Sequence, residues 1–130
     1  MASDPEFLTF DEVVEIDCVQ LERWGGREGI RDRGLLESAV MQPQAGFGGE
    51  YLYEDIFTMA AVYAHGISEG QTFVDGNKRT GVDAALTFLA LNGFRVEDPG
   101  MALYEAMIEI AQHNLTKEQL ASLLRELAGV

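Results

Sequence analysis

The sequence predicts an all-α bundle of about six helices, and three observations carry that expectation. Six stretches repeat their apolar residues at the helical period. Two of them open on the same capping-box pattern, Thr9 with Glu12 and Thr116 with Gln119. Only residues 44–53 break the pattern, with glycines and alternating large side chains. The 130 residues suit a single domain, 1–130, long enough to bury a core without staples. No repeat, low-complexity stretch or linker interrupts it.

In chain order, the first helix runs from the Thr9 box to Trp24, with Leu8 and Val13 placed as a hydrophobic staple. Val13, Ile16, Leu21 and Trp24 are its expected buried positions, and Gly25-Gly26 ends it. Asp32 caps a second helix that turns Leu35, Leu36, Ala39 and Val40 inward, and Pro43 closes it. Residues 47–53 fit an extended segment or hairpin. On pattern alone, a plain loop whose aromatics plug the core is the somewhat better fit. Residues 54–69 form a mostly buried third helix, with Ile56, Met59, Ala60, Tyr63 and Ile67 on one side. A fourth spans residues 76–92 on an apolar stripe of Val82, Ala85, Leu86 and Leu89, with Gly93 as its stop. Residues 95–99 are a connector with room for one brief strand. The fifth helix covers 101–112 through Leu103, Met107, Ile108 and Ile110. The sixth covers 117–127 behind the Thr116 box and a Leu115–Leu120 staple.

Composition narrows the function classes. At 47% apolar and 24% charged the chain is globular rather than disordered. Its formal net charge of −13 argues against direct nucleic-acid binding, which needs cationic surface to displace counterions, and against anionic membranes. The lone Cys18 has no internal disulfide partner and reads as a small, partly buried side chain, so a reducing cytoplasm is the expected location. No apolar run reaches the length of a membrane span, and residues 1–5 are too acidic and short for a signal peptide.

Chemistry concentrates in Gln71-Thr72-Phe73-Val74-Asp75-Gly76-Asn77-Lys78-Arg79-Thr80, a loop running into the start of the fourth helix. A helix start presents unpaired backbone N–H groups and a partial positive charge, which suit an anion. Gly76 allows close backbone approach, and Asn77 offers an amide. Lys78 and Arg79 oppose the helix dipole unless an anion lies between them. Asp75 is placed to hold Mg²⁺ on a polyphosphate. These residues read as a triphosphate cradle with Phe73 anchored in the core. An ordinary helix capped by Asp75, with both cations solvated, fits the same residues.

The run from Phe73 to Thr80 resembles the Fic/Doc family motif, His-x-Phe-x-(Asp/Asn)-(Ala/Gly)-Asn-(Gly/Lys)-Arg. Lys78, and Val82 where AMP-transferring members tend to carry a second arginine, make it more similar to the Doc, or death-on-curing, branch. The likeness extends to Phe7-Leu8-Thr9, to Leu21-Glu22-Arg23-Trp24-Gly25-Gly26 and to Gly34-Leu35-Leu36-Glu37-Ser38-Ala39. It continues through Gln42-Pro43-Gln44 and Phe47-Gly48-Gly49-Glu50-Tyr51-Leu52-Tyr53. The resemblance implies a helical bundle with the motif loop between central third and fourth helices. It also implies that Gly48, Gly49, Glu50, Tyr51 and Leu52 belong to a flap that pairs with an extended piece of the target. The activity it implies is ATP-dependent phosphoryl transfer, or nucleotidyl transfer, to a protein hydroxyl. ATP, or another nucleoside triphosphate, would be bound with Mg. The implied target is a threonine of elongation factor Tu, and the implied silencing partner is an antitoxin. By that likeness Asp75 binds the metal, while Gly76, Asn77 and Thr80 join the phosphate site. Lys78 and Arg79 neutralise phosphate charge in the transition state.

One departure bears on everything else. The family motif opens with the histidine that serves as general base, and this chain has Gln71 there, followed by Thr72. Glutamine can orient a hydroxyl but has no proton that titrates near neutrality. His65 is the nearest histidine in sequence and reads as a satisfied or surface helical residue, as does His113 near the end of a later helix. Two readings therefore stand: a transferase of weakened or altered activity, and a non-catalytic nucleotide- or partner-binding pseudoenzyme. No internal inhibitory helix of the Ser/Thr-x-x-x-Glu-Gly/Asn type is evident, so regulation is expected from another chain or from assembly.

Overall fold

The computed structural model of the chain describes residues 4–98 and 100–130. Residues 1–3 of the N-terminal segment, and Pro99 at the end of the 95–99 connector, lie outside the described residues. Among the described residues six α-helices form: α1 (Phe10–Trp24), α2 (Arg33–Met41), α3 (Ile56–Glu69), α4 (Asn77–Leu91), α5 (Ala102–Ala111) and α6 (Lys117–Leu127). A 3₁₀ turn over Gln42–Gln44 leads from α2 into a hairpin of β1 (Gly46–Phe47) and β2 (Glu50–Tyr51). No described helix is long and apolar enough to cross a membrane.

The helix starts are fixed by local chemistry. Thr9 Oγ accepts from the Glu12 N–H at 3.1 Å while the Glu12 carboxylate accepts from the Thr9 N–H at 2.9 Å. Thr116 and Gln119 repeat the exchange at 3.1 and 2.8 Å. Asp32 caps α2 by accepting from Leu35. Asp55 caps α3 through the Phe57 and Thr58 amides and also receives Arg125 of α6 at 3.0 Å. Asp98 spans the start of α5 by accepting from Ala102 and Leu103. Apart from the Arg125–Asp55 ion pair, each bond satisfies an amide at a helix start that would otherwise lack a partner.

The core is built on α3 and α4, which run antiparallel: Tyr63 packs on Phe88, and Phe57 lies edge-on to Phe94. Met59, Ala60, Tyr63, Ala64 and Ile67 of α3 are buried. Gly81 sets the closest approach, since a Cβ there would lie 2.7 Å from the Ala64 carbonyl oxygen. The loop carrying residues 70–76 therefore closes one end of a tightly packed helix pair.

Several expectations need correction. Trp24 and Leu35 are 55% and 46% exposed and Ile16 is half-buried. Trp24 occupies the last turn of α1 and Leu35 the first turn of α2, at helix ends rather than on the faces that the core covers. On α4 the buried face carries Gly81, Ala84, Ala85, Phe88 and Leu89, while Val82 and Leu86 are half-buried. The close contact at Gly81 turns that face toward α3. Residues 95–98 form no strand. Residues 46–51 form a hairpin rather than a plain loop, with Gly46 opposite Tyr51 and Phe47 opposite Glu50. Only Tyr51 packs against the bundle, edge-on to Phe7, whereas Phe47 is 94% exposed.

Candidate functional site

Helix α3 is capped by Gly70, whose N–H returns to the Gly66 carbonyl. The chain then turns sharply through Gln71, which sits in the left-handed region at φ 46. Such a backbone is uncommon for a side chain of this kind, and residues held this way gather at functional sites. Thr72 and Phe73 then dive into the interior, with relative exposures of 0% and 1%. Asn77 braces this descent: its Oδ1 accepts from the Phe73 N–H at 2.8 Å and its Nδ2 donates to the Phe73 carbonyl at 2.9 Å. The Asn77 side-chain amide, expected to face a ligand, is thus engaged inside the loop, and its backbone N–H is the group left for a ligand.

A second segment holds the loop from the other side. Residues 27–31, between α1 and α2, pair with residues 72–75 around an Ile30–Phe73 bridge. Thr72 O accepts from the Arg31 N–H at 2.9 Å, and the Val74 N–H donates to Gly29 O at 3.0 Å. The Arg27 N–H donates to Asp75 Oδ2 at 2.8 Å. That bond fixes the half-buried Asp75 carboxylate and leaves Oδ1 for another partner. Nothing in the sequence pattern marked this segment as more than a stop after α1.

Gly76 is the N-cap of α4, at φ 83 and ψ 11, and no side chain caps this helix. The alternative in which Asp75 caps it does not hold. The first backbone bond back to Gly76 comes from Thr80, so the amides of Asn77, Lys78 and Arg79 have no acceptor among the described residues. An alanine at Gly76 would need a positive φ and would bring its Cβ within 2.9 Å of Asp17 Oδ1. The backbone here is reserved for glycine, and three amides point outward from a helix start, a ready anion site.

These amides open on a cleft of about 590 Å³ lined by Gln71, Asp75, Gly76, Asn77, Lys78 and Arg79, with Trp24, Ser68 and Tyr104 on its walls. Lys78 and Arg79 take part in no ion pair among the described residues, where the pairs are Arg33–Glu37, Arg95–Glu97 and Arg125–Asp55. Ser68, 2% exposed, borders the cleft, and its hydroxyl has no hydrogen-bond partner among the described residues. No described cluster of three or more His, Cys, Asp or Glu side chains is placed to hold a metal by itself. A magnesium ion would rest on Asp75 and on the oxygens of its phosphate ligand, as Mg²⁺ commonly does.

Two groups of expected site residues lie elsewhere. Thr80 is fully buried and donates to Asp17 at 2.8 Å, so it supports the start of α4 from beneath and does not line the cleft. Gly48, Gly49, Glu50, Tyr51 and Leu52 do not line the cleft. Tyr51 is anchored through Phe7 on Phe88, whose place along α4 is roughly 16 Å of helix from Asn77. His65 lies outside the cleft, near Lys117 of α6, and burial lowers its pKa.

Asp17 was missed. It continues the buried stripe of Val13 and Leu21 at i+4 spacing, and a carboxylate in such a stripe is the signal that would have found it. Its side chain is 3% exposed. Burial pushes its pKa up from 3.8 to about 6, the Thr80 hydrogen bond opposes that, and the charges of Asp75 and Glu28 add to it. Between those values the folded chain keeps a proton that the unfolded chain releases. Asp17 therefore favours the fold most below about pH 4, and that contribution falls as pH rises through 6. Urea unfolding at pH 4 and pH 7 should show Asp17→Asn removing a pH-dependent loss on the order of 1–3 kcal/mol. Superimposable pH profiles for the two proteins would contradict this assignment.

The Fic/DOC family model matches residues 7–89. The chain is 31% identical to "Protein kinase doc" of Escherichia phage P1 over 119 residues, 92% of this chain and 93% of that protein. It is 34% identical to "Toxin Doc" of Mycolicibacterium smegmatis over 127 residues, 95% of this chain and 92% of that protein. The family match spans more than half of the sequence, from the α1 cap through most of α4, and the relatives align along nearly all of it: this chain belongs to the Fic/Doc family.

Proposed function

We propose that this chain is a Doc-like toxin-family protein whose α4 cleft holds a nucleoside triphosphate, ATP in the first instance, and passes a phosphoryl or nucleotidyl group slowly to a protein hydroxyl. The observation that carries this reading is the uncapped start of α4. Three amides there, without acceptors among the described residues, face a cleft beside two cations that form no ion pair among those residues. In phosphoryl transfer the target oxygen bonds to the terminal phosphorus, the bond from that phosphorus to the bridging oxygen breaks, and a nucleoside diphosphate leaves. The amides of residues 77–79 and the Lys78 and Arg79 side chains stabilise the charge that shifts among the phosphate oxygens. Asp75 Oδ1 would hold magnesium, which supplies further neutralisation when bound.

The proton of the target hydroxyl is the weak point. Gln71 stands at the cleft and can orient that hydroxyl, but it cannot accept a proton and keep it. Loss of general-base help costs about 10²–10⁴-fold, so slow transfer is expected. The same observation favours a second reading, in which the cleft binds nucleotide and the chain acts through binding alone. In either case the proposed setting is the cytoplasm, and an antitoxin chain is the proposed silencing partner. The exposed hairpin, whose outer strand edges are unpaired among the described residues, is the proposed strand-addition surface for a target such as elongation factor Tu. Incubation with γ-labelled and α-labelled ATP and cell extract tests the reading. Label on a protein from the γ position indicates phosphoryl transfer, and from the α position nucleotidyl transfer. Binding without any label in protein would reduce the function to the second reading.

A further inference from the structure

Arg79 is held by an arrangement that the motif itself does not require. Its guanidinium carbon lies 4.2 Å from the centroid of the Trp24 ring and 4.7 Å from that of Tyr104. Three elements meet there: the last turn of α1, the first turn of α4, and α5. Trp24, the sole tryptophan of the chain, is 55% exposed, so burial does not explain its place. Meanwhile 22 Asp and Glu residues are available, and none pairs with Arg79 among those described. The difference matters chemically. A carboxylate would occupy the N–H edge of the guanidinium, the edge that a phosphate needs. An aromatic face attracts the cation through its quadrupole and leaves that edge free. The rings also offset the unfavourable position of a cation in the first turn of a helix. A long side chain held before the ligand arrives loses less freedom on binding.

We propose that Trp24 and Tyr104 are positioning residues that fix the Arg79 guanidinium at the wall of the α4 cleft, with its N–H edge presented to phosphate oxygens. The inference rests on the reading of that cleft as a triphosphate site, and its test separates the two. In the ligand-free protein, ¹⁵N relaxation at Arg79 Nε should report an ordered side chain that becomes mobile in Trp24→Ala and in Tyr104→Ala. Trp24→Phe and Tyr104→Phe, which keep a ring, should stay ordered. In calorimetric titration with Mg-ATP, each alanine variant should bind about three- to tenfold more weakly. The double variant Trp24→Ala with Arg79→Ala should bind no more weakly than Arg79→Ala alone, because the ring acts only through the arginine. Additive losses would overturn the proposal by showing that Trp24 meets the ligand independently. Unchanged Nε mobility in both alanine variants would overturn it as well. If the native protein binds no Mg-ATP, the triphosphate reading fails, and the relaxation result still decides whether the rings hold Arg79.

Discussion

Gln71→His is expected to raise transfer of label from ATP to a protein hydroxyl by about 10²–10⁴-fold, the usual worth of a positioned general base. The surroundings that such a base would need are in place. Residue 71 already lines the cleft that contains Asp75, Lys78 and Arg79. Its backbone sits at φ 46, a conformation in which histidine is several-fold enriched over most residues, so the substitution adds little strain. An imidazole with an ordinary pKa near 6.5 would also give the rate a pH dependence around neutrality. Toxicity on expression is a second expected sign. If the variant binds nucleotide and gains nothing, other parts of the site have diverged and binding is the present function. If the native protein is already fast and Gln71→His slows it, both readings fall, because the cleft would then run a chemistry that needs no titratable group at this position.

The parts of this molecule that were legible in the sequence are those set by local chemistry. The Thr9 and Thr116 capping boxes and the Asp32 cap follow from patterns a few residues long, whereas the central place of α3 and α4 follows from the family resemblance. The loop that opens α4 was legible for the same reason, since a glycine followed by two cations at a helix start is a local signal. What stayed hidden depends on elements far apart in the chain. Asp17 reaches Thr80 across 63 positions, and the Arg27 amide reaches Asp75 across 48. Trp24 looked like a core residue because it extends an apolar stripe, and only the arrival of Arg79 and Tyr104 shows why it stands exposed. The flap role of the hairpin comes from resemblance alone. Its anchor is a Phe7–Phe88 stack that no period in the sequence announces.

The start of α4 is the proposed triphosphate site, and loss of the Arg79 side chain tests it most directly. Arg79 lies in the cleft beside three amides without acceptors among the described residues, and it forms no ion pair among them. Removing one partner of a charge-assisted contact in a partly desolvated site typically costs about 2–5 kcal/mol. Calorimetry with Mg-ATP should therefore show binding to the native protein and an affinity at least about 30-fold lower for Arg79→Ala. Equal affinities for the two proteins, or no heat of binding to the native one, would contradict the triphosphate site and leave α4 as a helix that happens to lack a cap.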